Sequence, residues 1–159
     1  MSPTPPTPGI VPEDLTVIMR AARVFSAVVA SSLAQGGDLL TWPQLRVLVL
    51  VATRPDVTTT QVADALDVHL SSASRLCERL VAAGLVERRT SASDRRNLLL
   101  SLTPQGSTLV ETIMEHRRRA FISILQNMSA SDRIALHHCL DTFAEAAGEP
   151  PEISQLPDL

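Results

Sequence analysis

Apolar residues recur along most of this chain at the three- and four-residue steps of helices, and they alternate or run together only in short stretches. Over residues 13–35, Leu15, Ile18, Met19, Ala22, Phe25, Val29, Ser32 and Leu33 share one side, the stripe of an amphipathic helix. At roughly 1.5 Å per residue it is about 35 Å long, and Gly36-Gly37 closes it. Thr41-Trp42-Pro43-Gln44 is a capping box with proline in the first turn. The segment it opens, to about Thr53, is apolar on nearly every side. That pattern fits a buried central helix, although its β-branched run also suits a buried strand.

A shorter pattern follows. Thr58 with Gln61 three residues later opens a helix with Val62, Ala63 and Leu66 on its apolar side. Asp67-Val68-His69 is a break of the length a helix-turn-helix needs. The next helix spans about 70–83 and stops at Gly84, which suits a left-handed cap. Ala73, Leu76, Cys77 and Leu80 point inward, while Ser71, Ser72, Ser74, Arg75 and Arg79 are left outward. Two β-type segments, 85–90 and 98–103, flank the polar loop SASDRRN, and Val57 is a candidate for a short strand beside them.

Thr103-Pro104-Gln105-Gly106 opens another long helix, to about Asn127, with Leu109, Ile113, His116, Ala120, Phe121, Ile124 and Leu125 as its stripe. Ser129 or Ser131 caps a last helix carrying Leu136, Cys139, Leu140, Phe143 and Ala147. The expected fold is mainly α with a small β-wing. A winged helix-turn-helix core, about 41–103, is flanked by N- and C-terminal dimerisation helices, about 13–36 and 104–147. The proline-bearing ends, 1–12 and 148–159, read as a disordered arm and a tail. The apolar surface of the terminal helices exceeds what one small lobe covers, which predicts a dimer.

Composition sharpens this picture. The net charge of the 159 residues is −3, which argues against a protein that coats nucleic acid over its whole surface. All fourteen basic residues are arginine, and residues 69–97 hold six of them against three carboxylates. A basic patch on an acidic body favours docking through one face. Short hydroxyls at the start of the 70–83 helix can approach base edges and phosphates, and arginine can fork onto guanine. The candidate DNA-binding residues are therefore Ser71, Ser72, Ser74, Arg75 and Arg79 on the helix, Arg88 on the first wing strand, and Asp94, Arg95 and Arg96 in the loop. Arg117-Arg118-Arg119 spans more than one face and reads as solvated surface, with phosphate contact between half-sites as the functional alternative.

Other chemistries find little support. There is no Gly-rich phosphate loop, nucleophile elbow or His-Glu-x-x-His, so an enzyme is not expected. His137 and Asp141 share a helical face but make only half a metal site, so neither metal nor cofactor is expected. Cys77 and Cys139 stand at apolar positions and read as reduced core thiols. The N-terminus lacks a basic region followed by an apolar run, and the longest apolar run, 47–52, is too short to span a bilayer. A cytoplasmic protein without membrane contact is expected.

Four pieces of the chain resemble the MarR (multiple-antibiotic-resistance regulator) family of bacterial transcription factors: TWPQLRVL, SSASRLCERLVAAGLVERR, the wing loop SDRRN, and LSLTPQG. The Asp-Arg-Arg wing followed by Leu-Thr-Pro-x-Gly is the most specific, and the resemblance covers about residues 13–147. It favours helix for the ambiguous 47–51 run. It implies a homodimeric repressor on a double-stranded, pseudo-palindromic operator, released by a small aromatic or phenolic effector. Candidate effector-pocket residues are Phe25, Trp42 and His116, each of which also reads as ordinary core. Two alternatives stay open: a winged helix that binds protein instead of DNA, and a thiol-based redox sensor. The family's sensors place the reactive cysteine near the first helix, where this chain has none.

The resemblance also gives Asp94 a use. A carboxylate in a DNA-facing loop repels phosphate, unless it pairs with Arg96 and holds that guanidinium extended toward the minor groove. Otherwise Asp94 only caps the turn. If the pair acts as a unit, Asp94→Ala weakens specific binding although it removes a negative charge. The double variant Asp94→Ala/Arg96→Ala is then little worse than Arg96→Ala alone. Additive losses in that cycle, read by gel shift, show that the two residues act separately.

Overall fold

Two helix starts are held by side chains at the positions the sequence predicts. The computed structural model describes residues 9, 11–54, 56–90 and 98–148. Its elements are α1 (Pro12–Leu33), a 3-10 turn (Ala34–Leu39), α2 (Trp42–Thr53), β1 (Val57–Thr58), α3 (Thr59–Leu66), α4 (Leu70–Ala82), β2 (Val86–Thr90), β3 (Leu98–Leu102), α5 (Pro104–Gln126) and α6 (Ala130–Ala146). Gln44 reaches back to accept from the Thr41 amide at 2.8 Å, and Gln61 accepts from the Thr58 amide at 2.8 Å. Both capping boxes thus satisfy amides that a helix start leaves without partners. Ser129, not Ser131, caps α6 by accepting from the Asp132 amide at 3.1 Å.

The three strands form an antiparallel sheet in the order β1-β3-β2. Val57 pairs with Leu100, and β2 pairs with β3 from Val86↔Leu102 to Thr90↔Leu98. The short strand at Val57 is therefore real, and the 47–51 run is helical. The arm before residue 9, the loop 91–97 and the tail after 148 lie outside the described residues.

The core sits around α2, which packs against α3, α4, α5 and β3. Val47 and Leu48 are fully buried, and Val62, Cys77, Leu80, Val86, Leu100 and Ile113 close around them. Cores like this owe their stability to apolar surface removed from water. Two features escaped the periodicity. Val110, outside the expected stripe of α5, is buried with Ile113, while Ile124 of that stripe is exposed. The α-helical part of α1 ends at Leu33, before the glycine pair, and tightens into the 3-10 turn.

The terminal helices differ most from expectation. Leu15, Ile18, Met19 and Phe25 of the expected α1 stripe are exposed, and only Val28 and Ser32 of α1 are buried. No residue of α6 is buried, and Phe143 is 56% exposed. Cys139 is exposed as well, which corrects its reading as a core thiol: its helix lies uncovered within one chain. Residues 12–37 are also long and apolar enough, by composition, to cross a membrane. Arg20 and Arg23 interrupt the run, so a search for unbroken apolar stretches passes over it.

The start of α5 locks onto the end of α4. Gly84 takes a left-handed φ of 70°, which costs a glycine little. The Thr103 hydroxyl donates to the Gly84 carbonyl at 2.6 Å and accepts from the Gly106 amide at 3.0 Å. The Thr103 amide donates to the Leu85 carbonyl at 3.1 Å. A Cβ on Gly106 would lie 2.0 Å from that same carbonyl oxygen. Gly106→Ala is therefore expected to force α5 off the β2 start and cost about 1–3 kcal/mol or more, as overpacking does. Denaturant unfolding at fixed protein concentration measures it, and an unchanged midpoint contradicts the clamp.

Candidate nucleic-acid interface

The second helix of the helix-turn-helix is positioned by its buried side. Ala73, Leu76, Cys77 and Leu80 are all buried, as their spacing predicts. The turn before it is made by Asp67 in a left-handed conformation, φ 53°, a region that aspartate tolerates better than most side chains. The Val68 amide closes this turn on the Ala63 carbonyl at 3.0 Å. Arg46 of α2 donates to the Ala65 carbonyl at 3.1 Å, tying the end of α3 to the central helix.

With one side buried, α4 must turn its other side outward. Ser71, Ser72, Arg75 and Arg79 are exposed there. Ser74 is half-buried and donates to Glu78 Oε1 at 3.0 Å, so its hydroxyl already has a partner. Arg79 lies along the helix, its Nε donating to the Arg75 carbonyl at 3.3 Å. His69 is the N-cap, but its imidazole makes no capping bond. Among the described residues, no side chain occupies the first amides of α4, which suit an anion.

On β2, Arg89 forms an ion pair with Glu87, whereas Arg88 is exposed and stands opposite Leu100. Among the described residues, neither Arg75 nor Arg88 is in an ion pair. Asp94, Arg95 and Arg96 lie outside the described residues. Burial pushes the Cys77 thiol above its ordinary pKa, and the Arg88 charge and a hydrogen bond with Thr59 offset this only in part. A thiol held protonated and covered is a poor nucleophile.

The three candidate effector residues sit at a seam among α1, α2 and α5. Phe25 packs on Phe121 with ring centroids 5.7 Å apart. His116 Nε2 lies 3.2 Å from the Ser31 hydroxyl. The Arg117 guanidinium lies over the Trp42 ring at 5.9 Å and donates to the buried Ser32 hydroxyl at 3.2 Å. Arg117 is therefore part of this seam, which corrects the reading of the whole arginine run as solvated surface. Arg118 and Arg119 do face solvent, paired with Glu115. A separate cleft of about 600 Å³ opens beside the clamp, lined by Gln35, Gly36, Leu85, Gln105, Thr108 and Leu109 among others. Phe25, Trp42 and His116 do not line it.

Comparison with known proteins gives the same picture. A model of the MarR family matches residues 40–97. The crystal structure of RV1404 from Mycobacterium tuberculosis is similar at 33% identity and a TM-score of 0.78, over 90% of this chain and 99% of that one. Streptococcus pneumoniae FabT, solved in complex with DNA, superposes with a TM-score of 0.74 at 20% identity, over 85% of this chain and 97% of that one. The multiple antibiotic resistance protein MarR of Salmonella typhimurium is 27% identical over 104 residues, covering 64% of this chain and 71% of that protein.

The two arginines of α4 separate by their geometry. If Arg75 forks onto a base, Arg75→Ala lowers specific binding by roughly 1–3 kcal/mol and relaxes preference at one position of each half-site. If Arg79 holds a phosphate instead, Arg79→Ala weakens all sequences alike and flattens the salt dependence. Competition gel shifts over a salt series distinguish the two. Unchanged base preference in Arg75→Ala means that α4 is not read through this side chain.

Proposed function

The chain belongs to the MarR family of winged-helix, DNA-binding transcriptional regulators, and from that premise we propose that it is a repressor that grips a pseudo-palindromic operator as a homodimer. The family consists of regulators, not enzymes. The observation that carries the reading is the exposed side of α4, with Ser71, Ser72 and Arg75 opposite a fully buried Ala73-Leu76-Cys77-Leu80 side. Such a helix can enter a major groove without disturbing its own packing. Arg88 and the loop with Asp94, Arg95 and Arg96 are proposed to reach the flanking backbone and minor groove.

The dimer is proposed to form through α1, the second half of α5, and α6. The supporting observation is the apolar surface that one chain leaves open: Leu15, Met19, Phe25, Ile134, Leu140 and Phe143. Two α4 helices related by a two-fold axis then meet half-sites about one helical turn apart. The same use accounts for the apolar composition of residues 12–37 without a membrane, and the protein is proposed to be cytoplasmic. The effector is proposed to be a small aromatic or phenolic compound acting at the seam of Trp42, His116 and Phe25, between the dimer helices and the DNA-binding lobe.

Selection of bound fragments from a genomic pool tests the function. The expected product is a two-fold sequence near promoters; recovery of unrelated fragments in proportion to their abundance contradicts it. For assembly, sedimentation at micromolar concentration is expected to show a dimer, and Phe143→Asp is expected to dissociate it by placing a charge in the interface. A wild-type chain that sediments as a stable, folded monomer refutes the dimer.

A further inference from the structure

Ser71, Arg75, Glu78 and Ala82 fall on one side of α4, at the steps that bring residues together on a helix surface. Glu78 therefore faces the same way as Ser71 and Arg75. The residue is exposed, and its carboxylate is oriented, since Oε1 accepts the Ser74 hydroxyl at 3.0 Å. Arg75, three residues back, is the opposite charge that shares its side of the helix. The two do not pair, and among the described residues no ion pair includes Glu78; Arg79, the next residue, turns to the Arg75 carbonyl. An oriented carboxylate with one open oxygen thus stands beside an open guanidinium, on the side proposed to face DNA.

Next to phosphate such a group is only repelled. In the floor of the major groove it has a use, because bases present donors there as well as acceptors. We infer that Glu78 reads a base, its open oxygen accepting from the exocyclic amino group of cytosine. Adenine also offers an amino group in that groove, but the N7 lone pair beside it repels a carboxylate, whereas cytosine has no acceptor there. Arginine seeks the O6 and N7 acceptors of guanine. Arg75 and Glu78 together therefore complement the two halves of a G·C pair, or of neighbouring pairs. Ser74 is a positioning residue for the carboxylate, so it serves the site without facing the base itself. This inference rests on the DNA-binding reading of α4 and adds what that helix discriminates.

The test compares wild type, Glu78→Gln, Glu78→Ala and Ser74→Ala. Each is titrated with the selected operator duplex, with operators in which each cytosine of the half-site is replaced in turn, and with a random duplex at the same salt. Wild type is expected to lose roughly tenfold in affinity when one particular cytosine is replaced, the size of a good base contact. In Glu78→Ala that discrimination collapses to less than about twofold, while random duplex binds more tightly because a negative charge is gone. Glu78→Gln keeps an acceptor but gains a donor, so adenine becomes tolerated at the same position. Ser74→Ala loses part of the discrimination and leaves random binding unchanged. If Glu78→Ala and Glu78→Gln tighten every duplex by one common factor, the carboxylate only repels phosphate and the inference is overturned. Discrimination that survives intact in both variants overturns it equally. A wild type that prefers no sequence at all fails the DNA-binding reading itself, and the inference falls with it.

Discussion

The contact on which the rest of the structure depends is the closure of α5 onto the turn after α4. Within four residues, Thr103 and Gly106 take up the Gly84 carbonyl, the Leu85 carbonyl and the one approach too close for any side chain. The turn needs a left-handed residue to leave α4, and Gly84 supplies it. The far strand of the wing needs a return path, and Thr103 supplies it while capping α5. α4, the start of β2 and α5 are therefore fixed to one another by the Thr103 hydroxyl and amide bonding to backbone groups, with little freedom to absorb a shift. This gives the Leu-Thr-Pro-x-Gly segment a mechanical meaning. Threonine caps, proline fits a first turn in which no amide partner is needed, and glycine lets two backbones touch.

Packing follows a different logic at the two ends of the chain. Around α2 the apolar surface is matched within one chain, so burial is complete. Along α1 and α6 it is not matched, although the helices themselves are capped and regular. Each exposed large apolar side chain forgoes roughly 1.5–3 kcal/mol of burial. A run of them on two helices is more than an isolated surface residue can explain. The proposed dimer resolves this without new chemistry, since a second copy offers the same surface.

Local structure was the legible part of the sequence. Thr41, Thr58, Thr103 and Ser129 announce their helices because capping needs only residues a few positions apart. The buried side of α4 was legible for the same reason. Covering partners were not: a helical stripe says which side is apolar and is silent about what lies against it. On that account Cys139 reads as core although it is exposed, and Arg117 reads as surface because its partners Ser32 and Trp42 come from helices far away in sequence. The role of Ser74 depended on Glu78, four residues on, and spacing alone could have suggested that pair. The loop 91–97, which carries the most specific sequence signal, lies outside the described residues, so its part in the site rests on its residues alone.

α5 connects the proposed effector seam to the proposed DNA-reading helix. α5 is a single 23-residue helix, roughly 35 Å long. Its first turn is clamped to Gly84 and Leu85. Three turns on, it carries His116 against Ser31 and Arg117 against Ser32 and Trp42. A helix without a proline or glycine beyond its first turn has no built-in hinge, and α5 has neither after Gly106. A ligand that separates α1 from α5 at His116 therefore cannot be absorbed by local bending. On the proposed reading, its displacement is carried to the clamp and on to α4 and the base of the sheet. On the proposed dimer it changes the spacing and tilt of two reading helices at once, and a two-fold operator tolerates little of either. If the proposed effector site and reading helix hold, the two ends of α5 join them through one rigid element.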